Sequence, residues 1–188
     1  MIIALTGTPG TGKTTIASIL RKHNVLVISL KTLAEQHNFI ESYDEMRESN
    51  ILDLDAIDRY LEKTIKKDQI VVVESHLAHL LKRVDAIIVL RCHPKTLRKR
   101  LKQRNWPWKK VCENLESEIL DVILCESIDE HGKQLVKEVA TSTVSAENIV
   151  EDIFKITNGS KTCSVLLEPG SFDWSEYLFD SSVMEEVK

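Results

Sequence analysis

The stretch that decides the fold is MIIALTGTPGTGKTT, residues 1–15. Residues 7–14 match the spacing G-x-x-x-x-G-K-[ST], in which glycines let the backbone curl until its N–H groups point at phosphate oxygens. Residues 2–6 form a short apolar run that predicts a buried strand, and residues 14–22 place apolar side chains at helical spacing. A strand, a glycine loop and a helix thus follow one another in the order that a phosphate site requires.

This loop also predicts how a nucleoside triphosphate is held. Lys13 is expected to reach the β- and γ-phosphates, and the Thr14 hydroxyl is expected to join the shell of a Mg²⁺ ion. The glycines are spaced GxxGxG, unlike the G-x-G-x-x-G of dinucleotide-binding folds, and no N-K-x-D motif that would indicate a GTPase is present. The alternative interpretation is a glycine-rich turn with a solvated lysine. The strand–loop–helix order favours the triphosphate site.

The composition is that of one compact domain. The chain has 188 residues, of which 43% are hydrophobic and 29% are charged. No apolar run approaches the roughly 20 residues of a membrane span, and the first predicted strand begins at Ile2. We therefore expect no membrane insertion, no signal peptide and a cytosol-like compartment. The four cysteines show neither a C-x-x-C pair nor metal-ligand spacing, so reduced thiols are expected.

The formal net charge of −4 is distributed unevenly. Residues 160–188 contain six acidic residues against two lysines, so residues 1–159 are formally neutral. Without a global basic field, neither broad nucleic-acid affinity nor direct sequence-specific DNA binding is expected. Basic side chains interleaved with two tryptophans over residues 98–110 leave open a local patch that could contact RNA.

Further strands and helices alternate along the chain. Apolar runs predict strands over residues 25–29, 69–74, 85–91 and 134–140. Helical spacing predicts helices over residues 54–65, 94–104, 110–131 and 145–156. Asp53, Pro94 and Ser145 supply helix-start signals for three of them. The alternation predicts an α/β fold of the P-loop NTPase class, with a five-stranded parallel sheet flanked by helices. The polar stretch 30–52 stays unassigned.

Three side chains outside the loop are candidates for the chemistry. Glu74 closes an apolar strand, where a carboxylate can hold Mg²⁺ through water; a solvated strand end is the alternative. His76 lies at the carboxyl edge of the sheet, where ligands bind in open α/β folds, with a surface or packing role as the alternative. Arg104 lies four residues after Arg100, so both are expected on one helix face. Arg104 could clamp ATP as the following segment closes, or could be an ordinary helix-end cation.

An ordered set of motifs resembles the adenylate kinases of the nuclear and ribosome-assembly type, including their archaeal relatives. The motifs are LTGTPGTGKTT, SYDE followed by ILDLD, VVVESH, VLR, and RL-x-x-R-N-W leading to KKVCENLESEI. The resemblance covers about residues 1–155. It implies a kinase domain over 1–158, with a monophosphate-binding region at about 29–52 and a lid at about 103–113. Residues 159–188 form an acidic C-terminal tail without a recognised counterpart, for which disorder is expected. The alternative is that its aromatic and apolar residues dock on the body or bind a partner: Trp174, Tyr177, Leu178 and Phe179.

The resemblance also implies which residues bind nucleotides and metal. Thr14 and Glu74 would hold Mg²⁺, although the family's strand-end motif is usually Asp-x-His and this chain has Glu74-Ser75-His76. Arg47 is the single arginine between residues 29 and 52, and Lys31 could assist it in holding the acceptor phosphate. The ATP contacts would come from Gly10, Gly12, Lys13, Thr14, Thr15 and Arg104.

The activity implied is that of a broad-specificity nucleoside monophosphate kinase with ATPase activity. It would transfer the γ-phosphoryl of Mg-ATP to AMP and form two ADP, with Lys13, Arg104 and His76 at the catalytic centre. The alternative is an ATP-hydrolysing factor in small-subunit rRNA maturation, with a small-subunit ribosomal protein or pre-ribosome as partner and His76 positioning a water. The two functions can coexist. The compartment implied is the cytoplasm of an archaeal-type cell, or the nucleus in a eukaryote.

Overall fold

A parallel sheet forms the centre of the protein, whose computed structural model describes residues 1–45, 49–66, 68–160 and 162–186. The strands are β1 (Ile2–Thr6), β2 (Leu26–Ser29), β3 (Ile40–Asp44), β4 (Ser49–Leu52), β5 (Val71–Glu74), β6 (Ala86–Arg91) and β7 (Val136–Ala140). Five of them pair in parallel in the order β2-β5-β1-β6-β7, and β3 pairs with β4 in a separate antiparallel hairpin. The predicted five-stranded parallel sheet is confirmed.

Strand β1 is the middle strand, and its position sets the place of the glycine loop. Ile3, Ala4 and Leu5 are fully buried, as expected for a strand covered by helices on both faces. In the register of the sheet, Leu5 lies beside Glu74 at the end of β5. The loop that follows β1 therefore emerges at the centre of the carboxyl edge, next to the strand-end carboxylate.

The helices that cover the sheet begin largely where the sequence predicts. They are α1 (Lys13–Lys22), α2 (Leu30–His37), α3 (Leu54–Thr64), α4 (Pro94–Lys102), α5 (Trp108–Ile119), α6 (Val122–His131), α7 (Ala146–Thr157) and the short α8 (Ser181–Met184). Asp53 caps α3 by accepting from the Ala56 N–H at 2.8 Å, and Ser145 caps α7. None of the described helices has the length and apolar character needed to cross a membrane.

Two helix predictions are wrong. The single helix expected over 110–131 is divided between α5 and α6, because Asp121 adopts a left-handed backbone conformation with φ of 57°. The Arg91 guanidinium stabilises this break by donating to the Glu118 carbonyl oxygen at 3.0 Å and to the Asp121 carboxylate. Helix α4 ends at Lys102, so Arg104 does not share a helix face with Arg100.

The tail expected to be disordered is folded onto the body over residues 162–186. The Asp152 carboxylate, which is fully buried on α7, accepts the backbone N–H groups of Ser164, Val165 and Leu166 at 2.7, 2.6 and 3.1 Å. Leu167 then pairs in antiparallel fashion with Glu138 on the outer strand β7. The tail thereby covers one edge of the sheet, which would otherwise present unpaired backbone groups.

The rest of the tail packs on α4 and α5. Trp174, Tyr177 and Val183 join the apolar cluster that these helices form through Leu97, Leu115 and their neighbours. A hydrogen bond of 3.1 Å links the His93 side chain to the Tyr177 hydroxyl, and Arg98 donates to the Glu185 carbonyl oxygen at 2.6 Å. Trp174 and Tyr177 of this acidic segment are thus used for packing, whereas Phe179 is 91% exposed.

The tail anchor makes stability depend on pH. Burial opposes ionisation of Asp152, but the hydrogen bonds from Lys155 and from the tail amides outweigh it and lower its pKa to about 2. A carboxylate whose pKa is lower in the folded chain than its unfolded value of about 4 stabilises the fold above that value. This contribution is lost as the pH falls toward 2.

We therefore expect Asp152→Asn to lower the free energy of unfolding by about 2 kcal/mol at neutral pH, and by about half as much near pH 3. Urea unfolding at the two pH values measures this difference. Asp129→Asn, which alters an exposed carboxylate, is the matched control and should change stability by less than about 0.5 kcal/mol. Equal losses of stability in the two variants would contradict the role of Asp152 in anchoring the tail.

Candidate active site

A cleft of about 1680 Å³ opens at the carboxyl edge of the sheet. Its wall combines the glycine loop, the ends of β5 and β7, the β3–β4 hairpin, and parts of α5, α6 and α7. Arg47, a predicted substrate residue, lies outside the described residues. All other predicted site residues line this one cleft: Gly10, Gly12, Lys13, Thr14, Thr15, Lys31, Glu74, His76 and Arg104.

The loop between β1 and α1 needs glycine at two positions for different reasons. A Cβ at Gly7 would lie 2.3 Å from the main-chain oxygen of Leu90, so the close approach of β6 excludes a side chain. Gly12 has a φ of 107° and directly precedes α1 in a left-handed conformation that glycine adopts without strain. Helix α1 consequently begins at Lys13 with its N–H groups, and the positive end of its dipole, at the cleft.

Hydrogen bonds from α4 and from the end of β7 brace this loop. Arg100 donates to the Gly10 carbonyl oxygen at 3.3 Å and to the Thr141 main-chain oxygen at 3.1 Å. The Thr141 hydroxyl donates to the Thr11 carbonyl oxygen at 2.7 Å. Arg100 thus holds the loop through the Gly10 carbonyl and links it to Thr141. Thr141 was not predicted as a site residue, although it directly follows a strand at the carboxyl edge of the sheet, where ligands bind in such folds.

Lys13 lies along the loop that precedes it. Its Nζ donates to the carbonyl oxygens of Gly7 and Thr8 at 2.5 and 3.1 Å. Burial lowers the pKa of Lys13 to about 8, while the negative charges of Glu74 and Glu118 oppose this change. The amine therefore remains largely protonated at pH 7, as a group that binds phosphate must be.

The donor atoms at the loop and at the strand end fit a magnesium ion carried with ATP. Thr14 is exposed in the first turn of α1, and Glu74 is half-buried at the end of β5 in the same cleft. Hydroxyl and carboxylate oxygens are ligands that Mg²⁺ accepts alongside phosphate oxygens and water. The Thr14 hydroxyl and the Glu74 carboxylate would hold such an ion, which would offset the negative charge of the ATP phosphates.

His76 and Arg104 approach the cleft from different elements. Burial in the cleft lowers the pKa of His76, and the positive charge of Lys13 lowers it further, to about 4. The ring of His76 is therefore neutral at pH 7. Arg104 lies in the turn between α4 and α5, and its guanidinium carbon is 5.0 Å from the centre of the Trp106 ring. Lys110 packs on the same ring at 5.0 Å. This turn and the start of α5 correspond to the predicted lid.

Comparisons with known proteins give the family. A profile of the family described as "AAA domain" matches residues 3–121. A protein of Archaeoglobus fulgidus named "Putative adenylate kinase" is 42% identical over 180 residues, covering 96% of this chain and 95% of that protein. A protein of the same name from Methanocaldococcus jannaschii is 37% identical over 186 residues, covering 98% and 99%. The chain belongs to this adenylate kinase family.

The family relationship extends further along the chain than the resemblance over residues 1–155 suggested. Because the alignment with the M. jannaschii relative covers 98% of this chain, it includes most of the tail. Shikimate kinase from Bacteroides thetaiotaomicron has a TM-score of 0.54 at 17% identity, over 84% of this chain and 98% of its own. That likeness confirms the P-loop α/β fold of this family member. The finer resemblance, to the nuclear and ribosome-assembly type, stays a prediction.

Beneath the phosphate loop of this adenylate kinase family member lies a buried charge cluster that the sequence did not reveal. Glu118 accepts from the Thr8 hydroxyl at 2.6 Å and from Arg91 Nε at 3.0 Å. Arg91 also donates to Glu138 at 2.9 Å and pairs with Asp121. Arg91 can be noticed in the sequence because it is a cation at the end of an apolar strand. Glu118 lies in an acidic helical stretch, where nothing in the sequence distinguishes it from its neighbours.

A second buried chain of polar groups connects β1 with α6. His79 is 1% exposed and makes a 3.1 Å hydrogen bond with the Thr6 hydroxyl. Its other ring nitrogen lies 3.0 Å from a carboxylate oxygen of Glu126, a residue of the cleft wall. Burial is the largest effect on the pKa of His79 and lowers it. His79 thus ties the strand that precedes the loop to the opposite side of the cleft.

Proposed function

We propose that the protein is a nucleoside monophosphate kinase, which transfers the γ-phosphoryl of Mg-ATP to AMP and forms two ADP. The observation that carries the proposal is the shared cleft, which the phosphate loop, Glu74 and Arg104 line together with the β3–β4 hairpin. A cleft with a phosphate-binding floor and a separate second wall can hold a donor and an acceptor nucleotide side by side. The name of the archaeal relatives supports the same reaction.

On the donor side, positioning and charge neutralisation are sufficient for phosphoryl transfer. The loop from Gly10 to Thr15 would cradle the phosphates with its backbone N–H groups. The protonated amine of Lys13 and the Arg104 guanidinium would balance the charge of the transferring group as the lid, residues 103–113, closes. The acceptor phosphate is already anionic near neutral pH, so no general base is required.

On the acceptor side, residues 29–52 would bind the monophosphate. The hairpin turns exposed apolar side chains, including Tyr43 and Ile51, toward the cleft, where a nucleobase can pack on them. The Lys31 side chain is 81% exposed at the same wall and could meet the acceptor phosphate. Arg47 keeps the role that the resemblance gives it, as a prediction.

The test is incubation of the purified protein with Mg-ATP, alone and with AMP, CMP, UMP or GMP, with quantification of every nucleotide formed. We expect rapid ADP formation that requires AMP, with two ADP for each AMP consumed. Slow hydrolysis that no monophosphate accelerates would contradict the kinase. If another monophosphate is phosphorylated in preference to AMP, that monophosphate is the acceptor.

The second candidate function is hydrolysis of ATP, at a lower rate than phosphoryl transfer to AMP. The neutral ring of His76 favours it. An uncharged imidazole nitrogen in the cleft can accept a hydrogen bond from an attacking water. Phosphate release without an acceptor measures this activity. The role in small-subunit rRNA maturation stays a prediction of the resemblance, and pull-down with ribosomal components tests it.

A further inference from the structure

We infer that Glu118 is a positioning residue of the phosphate loop, because its buried carboxylate fixes Thr8, the residue whose main-chain oxygen holds Lys13. The inference rests on the proposed function, since it concerns the binding of ATP by the same loop. It assigns a task to α5 beyond forming the wall of the cleft. Three contacts give Glu118 this role: its carboxylate contacts Thr8, Thr8 contacts Lys13, and the carboxylate is held by Arg91.

Thr8 is held at both its side chain and its main chain. Its hydroxyl donates to Glu118 Oε2 at 2.6 Å, and both residues are 2% exposed. Its carbonyl oxygen accepts from Lys13 Nζ at 3.1 Å and from the Thr11 hydroxyl at 2.8 Å. A change in the position of Thr8 must therefore change the position of the lysine amine.

Glu118 is itself fixed by the groups around it. Its Oε1 accepts from Arg91 Nε at 3.0 Å and from the Cys92 N–H at 2.9 Å. A buried carboxylate is tolerated when a cation and hydrogen bonds compensate it in this way. Oε1 takes the contacts to strand β6 and the residue after it, which leaves Oε2 directed at the loop. Binding Arg91 alone would not require that second contact.

The first test measures the affinity of the full chain for Mg-ATP by calorimetry at neutral pH. In Glu118→Gln, the amide keeps an oxygen for Arg91 and Cys92 but replaces the acceptor of the Thr8 hydroxyl by an N–H group, so the contact to the loop is the main change. We expect roughly tenfold weaker binding. Binding as tight as that of the unmodified protein would overturn the inference.

Asp152→Asn is the matched control, because it also removes a buried carboxylate charge but lies at the tail anchor. It should lower the unfolding temperature and leave the affinity for Mg-ATP unchanged. Equally weakened binding in both variants would show a general effect of destabilisation and overturn the inference.

The second test is a double-mutant cycle on ATP affinity, which remains informative if Glu118→Gln folds poorly. Thr8→Ser keeps the hydroxyl and should bind like the unmodified protein, whereas Thr8→Val should weaken binding. Because the two residues act through one contact, the double variant should be little worse than the weaker single variant. Additive losses would contradict the inference. The assay needs no acceptor, so ATP binding without transfer to any monophosphate would refute the proposed kinase and still test Glu118.

Discussion

Lys13→Ala is expected to lower kcat for phosphoryl transfer by at least about 1,000-fold, with the fold unchanged. The amine is the cation on the first turn of α1, and it lies against the loop carbonyls of Gly7 and Thr8. Removing it takes away the charge that opposes the negative charge of the transferring phosphoryl. Initial rates of ADP formation with saturating AMP measure the effect, and circular dichroism confirms folding.

Lys22→Ala is the matched control for this experiment. Lys22 is an exposed lysine in the last turn of the same helix, so its loss removes an equal charge away from the cleft. Its rate should stay close to that of the unmodified protein. If Lys13→Ala is as active as Lys22→Ala, phosphoryl transfer cannot be assigned to this cleft.

Arg91→Met is expected to give the largest loss of stability, about 3–5 kcal/mol in the free energy of unfolding. The guanidinium is 2% exposed and pairs with Glu118, Asp121 and Glu138. Methionine fills a similar volume but leaves these buried carboxylates without their cation. Thermal and urea unfolding should show a midpoint lower by roughly 10 °C and a lower denaturant midpoint.

The pH dependence of this loss separates charge from packing. Carboxylates that have lost their cation in a buried site have raised pKa values, so they destabilise the fold more as the pH rises. The loss should therefore be smaller near pH 5 than near pH 8. Arg83→Met, which breaks the exposed pair of Arg83 with Glu62, is the control and should cost less than about 1 kcal/mol. A loss for Arg91→Met that does not vary with pH would contradict the charge explanation.

The parts of the fold that were predicted correctly are those with a strong local pattern. Buried parallel strands such as β1 and β5 read as uninterrupted apolar runs, and the glycine loop needs particular residues at fixed spacing. The β3–β4 hairpin was missed because its strands are mostly exposed and carry no alternation of apolar and polar residues. Apolar spacing continues through Asp121, so only the tertiary contact with Arg91 reveals that α5 and α6 are separate helices.

The same distinction applies to the site. Lys13 and Thr14 belong to a contiguous motif, and Glu74 is marked by the strand that it closes. Glu118 and Thr141 act on the loop from 110 and 130 residues away along the chain, and a single sequence contains no signal that joins such positions. For the tail, acidic composition favoured disorder, but the alternative of docking on the body is the one observed, because Trp174, Tyr177 and Leu178 pack on α4 and α5.

The central place of β1 has a consequence for synthesis on the ribosome. This strand is made before its two partners, β5 and β6, which begin at Val71 and Ala86. Until β5 has left the exit tunnel, the apolar run of residues 2–6 has no neighbour in the sheet on either edge, and until β6 follows, one edge stays unpaired. An unpaired apolar strand in a nascent chain is a site for aggregation and for chaperone binding. The segment that later forms the nucleotide site is therefore the one that waits longest for its partners during translation.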